Sequence, residues 1–230
     1  MKKIGLVGGT GPESTLMYYK ILNSEIDRLT GGKAMPDIAI ESVNFTRAWE
    51  YVTESRYDLL ADYLEEKLEA LGKGGSEVIS LTAVTMHVVY DELAKRFNKP
   101  IVSIPKAVAE EVSSKGIKKI GLLGTIFTME KDYMKKDLLE AGVEVFVPDE
   151  AERKLVAKRI FEELEKGIVK ESTLNELNGI INRMKEDDGI EGVILGCTEL
   201  PLILNSGNCP AACFDAVEIH IRKLIELAMK

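Results

Sequence analysis

Ile120-Gly121-Leu122-Leu123-Gly124-Thr125 repeats Ile4-Gly5-Leu6-Val7-Gly8-Gly9, 116 positions later in the chain. Each is a short apolar run ending in small residues, the pattern of a strand covered on both faces. The surroundings repeat as well. The first run enters a loop, Gly8-Gly9-Thr10-Gly11-Pro12-Glu13-Ser14-Thr15, and an apolar-periodic helix expected over 16–29. The second enters a helix expected to start at Met129-Glu130-Lys131-Asp132-Tyr133-Met134. Other strands are expected at 38–43, 77–81, 100–104, 143–147 and 192–195. Other helices are expected at 58–71, from 87 to about 96, and at 105–114, 150–166, 172–185 and 217–229, with Ser172 as a cap. Cys209-Pro210-Ala211-Ala212-Cys213-Phe214-Asp215 echoes Lys99-Pro100-Ile101-Val102-Ser103-Ile104-Pro105, an x-Pro strand leading into a helix.

The chain therefore reads as two copies of one βαβ-rich unit. Strands that alternate with helices form parallel sheets with right-handed crossovers, and ligands bind beyond the carboxyl ends of the strands. The expected class is α/β, with two similar domains related by pseudo-twofold symmetry, each a parallel sheet flanked by helices. Residues 1–98 plus 209–230 are expected to form the first domain and 99–208 the second.

Composition narrows the function. An apolar fraction of 45% suits a globular core. The net charge of −8, with no strip of Lys and Arg, argues against nucleic acid. Runs such as Glu65-Glu66-Lys67 are solvated helix faces. No apolar run approaches the ~20 residues of a membrane span, and the first strand follows Met1 with no apolar signal region ahead of it. Three cysteines, at 197, 209 and 213, make neither a disulfide framework nor a CxxC pair. They suit a reduced, cytoplasmic setting. Cys209 and Cys213 read as inert core residues flanking a strand, too weak a pattern for a metal site.

The chemistry is expected at strand ends. Val193-Ile194-Leu195 runs into Gly196-Cys197-Thr198-Glu199, where neighbouring amides can stabilise a thiolate. The counterpart in the first copy lies within Thr82-Ala83-Val84-Thr85-Met86-His87. In the loop that starts at Gly8, glycines let the backbone approach a ligand, and the helix start offers N–H groups to an anion. It matches neither GxGxxG nor a P-loop, so a carboxylate near Gly9 and Thr10 is the better expectation.

At these residues the chain resembles the aspartate/glutamate racemase family over nearly its whole length. The branch it is most similar to reads Gly-Gly-x-x-x-Glu-Ser-Thr in its first loop, here Gly8-Gly9 with Glu13-Ser14-Thr15. Further matches are Leu123-Gly124-Thr125 with Phe127-Thr128-Met129-Glu130, Ile160-Phe161-Glu162-Glu163-Leu164, and Gly196-Cys197-Thr198-Glu199. The resemblance implies two α/β domains with the site in the cleft between them, commonly a homodimer, and catalysis without pyridoxal phosphate or metal. One thiolate removes the Cα proton of an amino acid and an acid on the other face returns one. Donors around the substrate carboxylate then stabilise the carbanion.

The family's first-half motif reads Cys-Asn-Thr-x-His or Thr-Asn-Thr-x-His. Anchored on Thr85-x-His87, it places the acid/base position at Ala83 and the Asn position at Val84. A spacing of 114 sets Ala83 opposite Cys197, whereas 115 would set Thr82 there; a one-residue slip turns a strand side chain to the other face, so both cannot serve. His87 is a second acid or a residue that only bonds backbone. The resemblance also implies substrate contacts at Thr85, Thr125, Thr128, Thr198 and Glu199, with Arg47 on a substrate carboxylate. Lys166 lies one residue from a family lysine position that falls on Glu165 here. The expected function is racemisation of an acidic amino acid, with Cys197 as the surviving acid/base. The alternatives are a non-catalytic amino-acid-binding relative, and a one-cysteine lyase resembling arylmalonate decarboxylases, to which Ala83 is suited.

Overall fold

In a computed structural model describing residues 1–230, the two repeated runs are inner strands of two separate four-stranded sheets. The first unit contains β1 (Ile4–Gly8), α1 (Pro12–Thr30), β2 (Ile38–Ser42), α2 (Phe45–Thr53), α3 (Tyr57–Lys73), β3 (Val78–Leu81), α4 (Tyr90–Arg96) and β4 (Ile101–Val102). The second contains α5 (Ile104–Ser114), β5 (Lys119–Leu123), α6 (Ile126–Glu130), α7 (Lys136–Glu140), β6 (Glu144–Phe146), α8 (Glu150–Glu162), α9 (Glu171–Asp187), β7 (Gly192–Leu195) and β8 (Ala212–Asp215), and α10 (Ala216–Met229) ends the chain. Every pairing is parallel, in the orders β2-β1-β3-β4 and β6-β5-β7-β8.

The same packing logic builds both units. In the first, Ile4, Leu6 and Val7 of β1 are buried beneath Tyr18, Leu22 and Ile26 of α1 and Leu60, Leu64 and Leu68 of α3. In the second, Leu123, Val193 and Leu195 pack with Val156 and Ile160 of α8 and Leu177, Ile181 and Met184 of α9. Each fully buried aliphatic side chain contributes about 1.5–3 kcal/mol.

The contacts divide the chain into residues 1–103 plus 220–230 and residues 104–219. The boundaries expected from sequence are shifted accordingly. Residues 99–103 stay with the first unit because β4 pairs with β3. Residues 209–219 stay with the second because β8 pairs with β7. The helix after each fourth strand thus crosses over: α5 belongs wholly to the second unit, and α10 from His220 onward to the first.

Local differences have local causes. The helix α2 was not expected; Asn44 caps it by accepting from the Arg47 N–H, and Ala48 and Val52 bury one side. Residues 85–89 form a 3-10 turn before α4. The helix expected from 129 is split into α6, capped by Thr125, and α7. The helix expected to reach 166 stops at Glu162, and a 3-10 turn, Leu164–Lys166, leads to Gly167 in the left-handed region (φ 69°). There the Glu163 carboxylate accepts from Arg159, Lys170 and Thr173, tying the end of α8 to the start of α9. Ser172 lies inside α9 and is not its cap. No helix is long and apolar enough to cross a membrane.

Candidate active site

The register of each sheet sets the correspondence between the two strand ends. In the first unit Val7 pairs with Leu81, and the Thr82 N–H donates to the Val7 carbonyl at 3.0 Å. In the second Leu123 pairs with Leu195, and the Gly196 N–H donates to the Leu123 carbonyl at 2.8 Å. Val7 and Leu123 are equivalent in the repeat, so Thr82 matches Gly196 and Ala83 matches Cys197. The spacing is 114. Thr82 is fully buried; its hydroxyl donates to the Val7 carbonyl at 3.3 Å and its own carbonyl accepts from Ser14 Oγ at 2.8 Å. At the end of β3, Thr82 is thus buried and Ala83 partly exposed.

The end of β7 holds Cys197. Gly196 is required where it stands: a Cβ would lie 2.9 Å from the Leu123 carbonyl oxygen and 3.1 Å from Thr128 Cγ2. Cys197, Thr198 and Glu199 come next, all partly exposed. The Cys197 thiol donates to Glu199 Oε2 at 2.7 Å. Its pKa is pushed well up, first by burial, then by the Glu199 charge and this hydrogen bond, with Glu165 adding to the shift. The Glu199 backbone N–H acts in the opposite sense. The expectation of a thiolate stabilised by amides is therefore corrected. Beyond Glu199 the chain forms a three-residue 3-10 turn, Leu200–Leu202, rather than an α-helix, and the charges nearest the sulfur are negative. The resting group is a thiol hydrogen-bonded to a carboxylate.

The rest of this edge comes from β5. Thr125 caps α6 by accepting from the Thr128 N–H at 3.2 Å, and its hydroxyl lies 3.1 Å from Thr128 Oγ1. Thr128 Oγ1 lies 3.0 Å from the Tyr133 hydroxyl. Thr128 is buried, so it orders Thr125 from behind. Lys166 ends the 3-10 turn after α8, exposed, with Nζ 5.9 Å from the centre of the Phe161 ring. Glu165 is the member of that turn that interacts with Cys197 and Glu199. Burial first, and the Glu199 charge second, push its pKa up. Sequence reasoning missed Glu165 and Tyr133 as members of the site. The motif Gly-Cys-Thr-Glu signals its own four residues, whereas these two arrive from other elements.

The corresponding edge of the first unit is different in chemistry. Gly9 turns the chain at φ 82°, where a Cβ would meet the Val43 carbonyl oxygen at 2.6 Å. Its N–H donates to Thr15 Oγ1 at 2.9 Å. The Thr10 hydroxyl is buried with no hydrogen-bond partner in the protein, one residue before Gly11, the N-cap of α1. A buried unpaired hydroxyl costs about 1–3 kcal/mol, so a polar ligand atom is a natural partner for it. Val84 is buried, and Thr85 opens the 3-10 turn, partly exposed. His87 is buried; its Nδ1 lies 3.0 Å from the Ala83 carbonyl and must donate, because a carbonyl only accepts. Burial is the first cause of a pKa lowered to about 4, so the ring is neutral near pH 7. Nδ1 of His87 is thus engaged by the backbone.

Arg47 stands in the first turn of α2, exposed. Its Nε donates to the Tyr51 hydroxyl at 2.9 Å, and its guanidinium lies 4.4 Å from the Tyr63 ring centre. Two aromatic partners hold the fork in one orientation, which suits carboxylate recognition. Tyr63 was legible only as an apolar helix position. The structure thus groups Gly9, Thr10, Ala83, Val84 and Thr85 at the ends of adjacent strands β1 and β3. It groups Thr125, Thr128, Cys197, Thr198 and Glu199 at the ends of adjacent β5 and β7.

Fold and strand-end thiol together define a class: a double α/β protein whose sheets repeat one strand order and in which one of the two equivalent strand ends carries a cysteine. The chain belongs to the Asp/Glu/Hydantoin racemase family, whose pattern matches residues 7–224. It is similar to an aspartate racemase homologue from Pyrococcus horikoshii OT3, at 44% identity with both chains fully covered and a TM-score of 0.87. It is also similar to a Yersinia pestis protein provisionally described as an Asp/Glu racemase, at 33% identity, full coverage of both and a TM-score of 0.94. A glutamate racemase of Histophilus somni is 30% identical over 134 residues, 58% of this chain and 48% of that one.

Proposed function

We propose that the protein is a cofactor-independent amino-acid racemase of the aspartate/glutamate type in which Cys197 moves the Cα proton on one face of the substrate. The observation that carries this is the 2.7 Å hydrogen bond from the Cys197 thiol to Glu199 at the end of β7. A thiol held against a carboxylate is a proton donor with its reprotonating partner in place. Glu199 takes the thiol proton when the sulfur must act as base, and the repulsion between thiolate and carboxylate favours prompt return of a proton to sulfur. The substrate α-carboxylate is received by the first loop, where Gly9 and the unpaired Thr10 hydroxyl offer donors, and Arg47 suits a second carboxylate. Thr85, Thr125 and Thr198 supply further hydroxyls, and Glu165 and Glu199 suit the substrate ammonium.

The position that would return a proton on the opposite face is Ala83, which has none to give. Incubation of L- and D-aspartate and glutamate in D2O is expected to show Cα deuterium incorporation that outpaces inversion. Absence of exchange for every acidic amino acid would sink the proposal. The register that makes Ala83 the equivalent of Cys197 in the repeat also supports a second, one-sided reading. A lyase would turn over a substituted malonate without exchanging amino acids. Saturable binding of aspartate or glutamate with no exchange would instead select the binding relative, which the buried Val84 suits.

A further inference from the structure

We propose that Tyr133 is a positioning residue for ligand binding at the end of β5: acting through Thr128, it leaves the Thr125 hydroxyl with a hydrogen to give and so directs it to a carboxylate oxygen. The proposal takes from the racemase reading only the identity of the ligand. Tyr133, in the turn between α6 and α7, has its hydroxyl 3.0 Å from Thr128 Oγ1, which lies 3.1 Å from Thr125 Oγ1. The middle member of this row is held in place. Thr128 is 1% exposed, and its Cγ2 sits 3.0 Å and 3.1 Å from where side chains on Gly124 and Gly196 would begin. With the methyl fixed between these two strand ends, the hydroxyl stays between Thr125 and Tyr133. The Tyr133 ring is held in turn beside Phe127, with centroids 5.9 Å apart.

Hydrogen-bond capacity sets the direction of the row. Each hydroxyl has one hydrogen to give and two lone pairs. Thr125 Oγ1 already accepts from the Thr128 N–H at 3.2 Å. A phenol donates more strongly than an aliphatic hydroxyl and accepts more weakly, because its ring withdraws electron density from the oxygen. Tyr133 therefore donates to Thr128, and Thr128 to Thr125. Both lone pairs of Thr125 are then used, and its hydrogen is the one capacity left. Thr125 is partly exposed, so that hydrogen meets a ligand. An ammonium, which only donates, finds no acceptor at this oxygen; a carboxylate, which only accepts, is matched to it.

The opposite direction has a different consequence. With Thr125 donating to Thr128 and Thr128 to Tyr133, the open capacity at Thr125 would be a lone pair and its ligand an ammonium. Succinate and aspartate separate the two cases, because succinate carries the carboxylates of aspartate and no ammonium. Tyr133→Phe keeps the ring and removes the first donor of the row.

The test is calorimetric binding of both acids to the intact protein, which needs no turnover. Tyr133→Phe is expected to weaken succinate and aspartate alike, by about 3–10-fold, the scale of one hydrogen bond. Thr128→Val, which keeps the shape and loses the hydroxyl, is expected to do the same, and Thr128→Ser to recover binding to within about twofold of wild type. In a Thr125→Val background Tyr133→Phe is expected to add no further loss, because a residue that acts through Thr125 has nothing left to position. A loss for aspartate alone would reverse the direction of the row and overturn the proposal. Unchanged binding, additive losses in the double variant, or a wild type that binds no succinate would overturn it as well. These binding effects without any Cα exchange would sink the racemase reading and leave the proposal standing.

Discussion

The end of β3 and the end of β7 share one backbone and almost no chemistry. Both continue the strand by one N–H donated to the neighbouring inner strand, at Thr82 and at Gly196. Beyond that residue the first offers Ala83 and the buried Val84, with the one titratable group, His87, turned onto the Ala83 carbonyl. The second offers a thiol on a carboxylate, with a second carboxylate near by. Duplication supplied two equivalent strand ends, and only one of them carries a thiol beside a carboxylate. Equivalence of backbone does not carry equivalence of function; the side chain and its electrostatic neighbours do.

The largest effect expected from breaking this contrast is at Cys197. Cys197→Ala should reduce Cα deuterium exchange by about 10³-fold, within the range for loss of a positioned acid/base. NMR of the substrate measures it, and residual exchange within threefold of wild type would show that another group moves the proton.

Acid stability should separate the two units next. Both histidines of the chain lie in the first unit, and both are buried neutral, His87 with a pKa lowered to about 4 and His220 to about 3. Around His220 are the Tyr18 hydroxyl at 2.6 Å, Ser80 Oγ at 2.9 Å and the Val102 carbonyl at 3.1 Å, with His87 adding a repulsive contribution when charged. An unfolded histidine titrates near 6.5, so the unfolded state binds more protons below that pH and stability falls as pH falls from about 6.5 toward the folded values. The loss at pH 4 is about 3 kcal/mol for each histidine. The second unit's Glu163, held below the ordinary carboxylate range by Thr173 and Lys170, loses its contribution only as pH falls through its own lowered value. Hydrogen exchange followed from pH 7 to pH 4 should show β1 and β3 losing protection before β5 and β7, and the reverse order would refute this assignment.

Restoring the first strand end is the sharpening test. Ala83→Thr combined with Val84→Asn is expected to raise inversion of the substrate by about 10²-fold relative to wild type, the scale of one added acid/base. Polarimetry or chiral chromatography reads it. No gain, in a folded variant that still exchanges deuterium, would mean the first edge lacks more than these two side chains.

The smallest effect concerns the partner of the thiol. Glu199→Gln removes the charge that holds the Cys197 proton, so its pKa should fall and alkylation at fixed pH near 8 should speed by about tenfold. An unchanged alkylation–pH profile would place the cause in burial alone.

Much of this was legible in sequence because it is local. Apolar runs closed by small residues marked β1 and β5, and Gly-Cys-Thr-Glu and Thr-x-His marked the two strand ends. The helix α2 was hidden because its apolar face is only Ala48 and Val52. Glu165 was hidden because its approach to Cys197 depends on where α8 stops.

Taken alone, the sequence determined the alternation of strands and helices, the duplication, and the identity of the one strand-end thiol. These stem from side-chain periodicity and from residue types that no neighbour can alter. Only the tertiary structure decided that Ala83 rather than Thr82 is the equivalent of Cys197 in the repeat, and that this cysteine rests protonated. Register is set by hydrogen bonds to strands far away in sequence, and proton affinity by burial and by charges that converge only on folding.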